Sequence, residues 1–194
     1  MENSTIQDAL ASGGPLSAPV AGVVAGVIAG TTYLLAQITF AATLHGGSAE
    51  PLQRIAAILM GPDLAPPPAE WSFTVTGMGL LIHFALAAVY GRLVGAVAGQ
   101  RGLVSASAAG AAVGTALYAL NFLLIAPDAF PWFEQSPPLT TLVNHLLFGV
   151  VAGSVYAILR RNGSAAYPAP PPATTTEPGR VGCNGGRPER KDPP

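Results

Sequence analysis

The stretch from Pro19 to Leu44, PVAGVVAGVIAGTTYLLAQITFAATL, carries no charged residue. A hydrocarbon core of roughly 30 Å takes about 20 helical residues, so this run is long enough to cross a bilayer. It does not read as a cleaved signal peptide, which has a basic start and a short apolar region. Here the start carries Glu2 and Asp8, and the apolar run is too long. Three further stretches lack charge: Trp71 to Gly91, Gly102 to Pro127 and Gln135 to Leu159. The predicted spans are Pro19 to Leu44, Trp71 to Gly99, Leu103 to Ala126 and Leu139 to Leu159. The fold class expected is an all-α membrane protein, a four-transmembrane-helix bundle. Composition agrees, because only 10% of the 194 residues are charged and 50% are hydrophobic, too little charge to cover a soluble domain.

The placement of basic residues sets the expected orientation. Arg92 and Arg101 flank the second connection, Arg160 and Arg161 follow the last span, and Arg180, Arg187, Arg190 and Lys191 lie further along the tail. Only Arg54 falls in the first connection and none in the third. By the positive-inside rule the second connection and both termini face the cytoplasm of a bacterial inner membrane.

Three regions follow: a disordered N-terminus over 1–18, the transmembrane domain over 19–161, and a disordered cytoplasmic tail over 162–194. The tail is rich in Pro, Gly and Thr and lacks the apolar residues a core needs. The chain's single cysteine, Cys183, excludes an internal disulfide and cysteine-based zinc clusters. The first connection, His45 to Glu70, is expected to hold a short interfacial helix opened by Pro51, with Leu52, Ile55, Ile58 and Leu59 as its apolar stripe. Packing over the mouth of the bundle is its expected job. Trp71 and Phe73, and the run Phe130, Pro131, Trp132 and Phe133, read as an aromatic rim at the headgroup level, with His45 beside it.

Inside the spans, glycine recurs at every fourth position: Gly22, Gly26 and Gly30; Gly91, Gly95 and Gly99; Gly110 and Gly114; Gly149 and Gly153. Such faces let membrane helices approach closely, so these ten glycines are predicted to pack helices, most of them in the cytoplasmic half. The polar groups lie toward the other end. At 1.5 Å per residue Gln37, Asn121 and His145 sit about 8 to 10 Å below the outer ends and His83 about 18 Å. Gln37, His83, Asn121 and His145 are therefore the candidate lining of an outer polar cavity, beneath the rim of His45, Trp71 and Trp132. A repeat is also suggested. His83 precedes Gly91 by the same interval as His145 precedes Gly153, and Tyr33 and Gln37 find loose counterparts in Tyr118 and Asn121, a pattern open to two readings, two parallel helix pairs or a chance match within glycine-rich helices.

Ionisable groups inside a membrane are candidates for function because hydrocarbon penalises them. A neutral imidazole can instead be satisfied structurally by one hydrogen bond, to Asn121, Gln37 or a tyrosine. Among functional roles, a metal or haem site must bring ligands at different depths to one point, whereas a proton-responsive histidine needs only water access. No cofactor or metal is assigned. No nucleophile–base pair, paired carboxylate or phosphate-cradling loop is present, and the basic residues of the tail alternate with acids and prolines. The chain is expected to be non-enzymatic and to bind no nucleic acid. Its expected partners are the lipid bilayer and a second copy or another membrane protein. The expected role is accessory or stress-related, with a small oligomeric transporter or channel component as the alternative and a metal- or haem-binding protein behind that.

The run His83 to Gly91, HFALAAVYG, with Asn121 and Phe122, Phe130 to Phe133, and His145 to Gly149, resembles a family of small four-span bacterial inner-membrane proteins, some of which carry a sodium:proline symporter label. It is distantly similar to YagU-type proteins, which share a histidine in the second span and an aromatic Pro-Trp loop before a histidine in the fourth. The resemblance covers Gly22 to Arg160 and implies a four-span fold, and the YagU-type similarity implies at most a link to acid tolerance. Four helices cannot make the broken-helix core of a sodium:proline symporter, and the resemblance transfers no catalytic residue.

Overall fold

The computed structural model describes residues 16–44, 49–64 and 72–165, with the side chains of residue 44 and residues 162–165 left aside. His45, Trp71, the prolines at 66–68, residues 1–15 and the tail from 166 onward, Cys183 included, lie outside the described residues. The described residues form five main helices: α1 Ala18–Leu44, α2 Glu50–Met60, α3 Phe73–Ala98, α4 Leu103–Tyr118 and α5 Pro138–Ala165. α4 continues through a π-helical segment, Ala119–Ile125, into a last turn, Ala126–Ala129, and a 3₁₀ turn, Pro131–Gln135, leads to α5. The described residues contain no strand. Helices over Ala18–Thr43, Phe73–Ala98, Leu103–Ala129 and Pro138–Arg161 are long and apolar enough to cross a membrane, and the chain is an all-α, multi-pass membrane bundle. The helical backbone of α5 runs on to Ala165, past the 161 boundary expected for the spans.

Helices in lipid gain little from burying apolar surface, so contact depends on backbones meeting closely. α1 packs on α3 and on α5, α4 packs along α5, and α2 lies on α3. A methyl group at Gly26 would strike the Ala87 carbonyl, and one at Gly91 would strike Gly26 and Gly22, so this seam admits no side chain. Gly110 and Gly149 face each other's carbonyls in the same way across α4 and α5, flanked by Gly114 against His145 and Gly153 against Ala106. Buried alanines, among them Ala21, Ala25, Ala29 and Ala152, complete the tight region. Ser107 and Ser154 share a 2.7 Å hydrogen bond across the α4–α5 seam.

One predicted packing glycine does something else. Gly99 caps α3 at φ +57°, and no neighbouring helix lies within contact of it. An L side chain adopts that backbone region at a cost, so the residue serves as a helix stop. Its i+4 spacing from Gly95 places it in the stripe by sequence, but the helix ends before the stripe reaches it. Arg101 then folds back, donating to the carbonyls of Val97 and Ala98 at the negative end of α3.

α2 forms over the expected residues but turns a different face inward. Leu52 is buried, as are Gln53, Arg54, Ala56 and Ala57, while Leu59, expected in the apolar stripe, is 69% exposed. The cause is local. Gly79 of α3 has no side chain where the Leu52 carbonyl approaches, and Arg54 has polar partners beneath it.

Candidate functional site

Toward the end of the bundle opposite Gly99, the helices separate. α1 and α4 share no substantial contact, and the gap is a cavity of about 740 Å³ walled by α1, α3, α4 and α5 and roofed by α2 and the 130–137 connection. Gln37, His83, Asn121 and His145 all line it. Most of the wall is carbon, from residues such as Leu34, Phe40, Leu86 and Phe148.

The two histidines are held differently. Nε2 of His83 lies 2.9 Å from the Gly30 carbonyl of α1. A carbonyl only accepts, so Nε2 carries the proton and Nδ1 holds a lone pair. The absence of a side chain at Gly30 makes room for the ring. In His145 it is Nδ1 that donates, to the Thr141 carbonyl at 2.8 Å one turn back, which leaves the lone pair on Nε2. Both lone pairs are without a protein partner among the described residues.

Tyr33 stands between the two imidazoles, its ring centroid 5.9 Å from that of His83 and 5.2 Å from that of His145. Its hydroxyl accepts a 3.2 Å bond from Nε2 of Gln37, so the Gln37 carbonyl oxygen is left as an acceptor. The His145 ring is edge-on to Tyr33, Tyr118 and Phe122. Across the cavity the Tyr90 hydroxyl donates to Oδ1 of Asn121 at 3.2 Å, leaving the Asn121 amide hydrogens as donors.

Asn121 and Phe122 reach these positions because the helix widens around them. Pro127 brings no N–H and its ring crowds the carbonyl four residues earlier, and the chain just upstream takes the π form over Ala119–Ile125. Such segments recur at functional sites because they re-aim side chains.

The roof depends on a buried cation that sequence reading leaves as an ordinary loop charge. Arg54, 8% exposed, pairs with Glu50 at 2.5 Å. It also donates to the Trp132 carbonyl at 3.0 Å and, at 3.3 Å, to Ser136 and Gln135. In return the Trp132 indole N–H donates to the Arg54 carbonyl at 3.0 Å. Trp132 is half-buried and ties α2 to the third connection, with Phe130 edge-on to it and Phe133 tilted against it. The signal available in the sequence is that Arg54 is the lone cation of the first connection and stands four positions after Glu50.

The two halves of the site correspond. Gly26 and Gly30 meet Ala87 and His83 as Gly110 and Gly114 meet Gly149 and His145. The interval from Gly30 to Gln37 equals that from Gly114 to Asn121. Each helix pair thus offers one histidine and one amide to the shared cavity.

Fold and site together define a class: a multi-pass helical membrane protein with a roofed cavity, lined by histidines and amides, at one end of its bundle. No family model, curated protein or solved structure matches the chain.

Proposed function

We propose that this chain is a small, non-enzymatic protein of the bacterial inner membrane, with both ends cytoplasmic, whose outward cavity holds a small molecule in an accessory or stress-related role. The observation supporting this is the convergence of Gln37, His83, Asn121 and His145 on one cavity of about 740 Å³. That volume is typical of small-molecule sites, which are mostly apolar with a few placed polar groups. A response to external pH belongs to the proposal. A proton taken up by either imidazole lone pair turns an acceptor into a donor and so reverses what the cavity offers a ligand. The proposed relation is to the four-span inner-membrane family of the sequence resemblance and, more distantly, to YagU-type proteins, from which the link to acid tolerance comes.

The test has two arms. Purified protein should bind a neutral apolar dye such as Nile red saturably, and failure to do so would remove the cavity role. Cells carrying His83→Gln and His145→Gln should grow differently from wild type at low external pH. Unchanged growth with a folded double variant would remove the pH role.

A second reading, a component of a small oligomeric transporter or channel, draws support from the one-sided form of the bundle. A cavity at one end and a glycine-sealed seam at the other is the arrangement of one state of alternating access. Solute flux in proteoliposomes distinguishes it from a binding role. A metal or haem role would have to use the lone pairs on Nδ1 of His83 and Nε2 of His145, and colour or bound metal in the purified protein would support it.

A further inference from the structure

We propose that the chamber is loaded sideways from the bilayer, through an opening between α3 and α4, and that its ligand is a membrane lipid whose acyl chain passes that opening. The inference rests on the reading of the cavity as a binding chamber and names what the chamber takes and by which route.

The wall of the chamber is open on one side. On the four spanning helices, the described residues that line the cavity are buried or half-buried with two exceptions, Leu86 of α3 and Ile125 of the α4 continuation, which are 39% and 38% exposed. Other apolar residues of the same wall are closed off, Leu117 at 4% and Phe148 at 5%. The two exposed residues belong to one seam. α3 and α4 are joined by the short turn after Ala98 and run antiparallel, and the Tyr90 hydroxyl donates to Oδ1 of Asn121 across them at 3.2 Å. Leu86 stands one turn from Tyr90, and Ile125 about one turn from Asn121, both on the side away from the connecting turn. They flank a gap whose floor is the Tyr90–Asn121 bond.

The sequence explains why this seam stays open. Close approach of membrane helices depends on small residues, and the glycine seams run between α1 and α3 and between α4 and α5. No described glycine of α3 meets α4, and none of α4 meets α3. Leu86 and Ile125 stand where the other seams carry glycine.

The medium outside the gap is hydrocarbon. Leu86 lies at the middle of the span Phe73–Ala98, where the bilayer contains no water or headgroups. Inside, Leu34, Phe40, Ile55 and Phe148 continue the apolar path. A chamber walled in carbon forfeits dispersion contacts when nothing fills it, and a chain from the adjoining leaflet restores them without desolvating an ion. The polar side chains along the way each hold a bond within the protein: His83 to Gly30, His145 to Thr141, Gln37 to Tyr33 and Tyr90 to Asn121. Glu50 and Arg54 are paired with each other, so no free charge is left to hold an ionic solute. At the far edge of the cavity Gln135 and Pro137 are exposed, just beyond the end of the last span. The polar end of a lipid reaches water there while its chain occupies the chamber.

The test is photo-crosslinking of the full chain in phosphatidylcholine vesicles doped with a phosphatidylcholine that carries a diazirine in mid-chain. Peptide mapping should find lipid adducts on Leu117 and Phe148, which the surrounding bilayer does not reach, as well as on Leu35 and Val143 of the exposed faces of α1 and α5. Leu86→Trp with Ile125→Trp fills the opening at positions that are already exposed. It should lower the adducts at 117 and 148 relative to those at 35 and 143 by about tenfold, the effect of a steric conflict of ordinary size on occupancy. Leu86→Ala with Ile125→Ala widens the opening and should keep or raise them. Adducts confined to Leu35 and Val143, in a protein that still binds Nile red saturably, would overturn the lipid and leave the chamber standing. Undiminished adducts in the tryptophan variant, or a fall in the alanine variant, would overturn the α3–α4 route. Absence of both Nile red binding and adducts at 117 and 148 would remove the chamber itself.

Discussion

His83 and Arg54 show how single residues are made tolerable in an apolar setting. His83 donates across helices to the Gly30 carbonyl, and hydrogen bonds between membrane helices contribute on average about 0.6 kcal/mol. His83→Leu is therefore expected to lower stability by roughly that amount, up to about 1.5 kcal/mol, in a reversible unfolding titration in mixed micelles. A loss of several kcal/mol would mean that the ring does more than bridge α1 and α3. Arg54 is the costlier residue to remove, since Glu50 and the Trp132 carbonyl would both be left short of a partner. Breaking a buried pair at one partner costs about 3 to 5 kcal/mol. Arg54→Met should approach that range in the same titration, and adding Glu50→Gln should recover part of it. Full stability in the single variant would show that the roof does not depend on the pair.

At the scale of elements, the helices are positioned by what they lack. The Gly110–Gly149 seam has no space for a methyl, and overpacking of this kind costs about 1 to 3 kcal/mol. Gly149→Ala should show such a loss in thermal unfolding. Gly77→Ala, on a face with nothing within contact, should gain about 0.5 to 1 kcal/mol of helix propensity. Equal effects at the two positions would contradict the packing described. These seams are legible in the sequence because the i+4 spacing of glycine is a property of one helix, and so are the spans, whose extent follows from uninterrupted apolar runs. The π segment is not legible, since Pro127 reads as the start of a connection and its effect on the preceding turn depends on the helix continuing to Ala129. Arg54 is not legible either: its partners lie in the third connection, far along the chain, and helical periodicity places it between two faces. Leu59 misleads for the same reason, because an apolar residue beside a membrane need not face protein.

At the scale of the whole molecule, the four long helices of the described residues form two pairs, each closed by glycine at one end and each giving a histidine and an amide to the chamber at the other. The polar residues could be placed at one end from sequence by counting along the spans, but their convergence required knowing that α1 and α4 stand apart. Orientation is open to a simple measurement, because Cys183 is the sole cysteine. With cytoplasmic ends, a membrane-impermeant maleimide should label it only after cells are permeabilised, and labelling of intact cells would reverse the assignment. The chamber itself is tested most directly by Leu117→Cys in a Cys183→Ser background, since Leu117 is 4% exposed yet lines the cavity from α4. Ala112→Cys, on the exposed face of the same helix, is the control. A small water-soluble thiol reagent applied from outside should modify the cysteine at 117 and leave that at 112 unmodified. Modification at 112 but not at 117, or at 117 only from the cytoplasmic side, would contradict an outward-facing chamber.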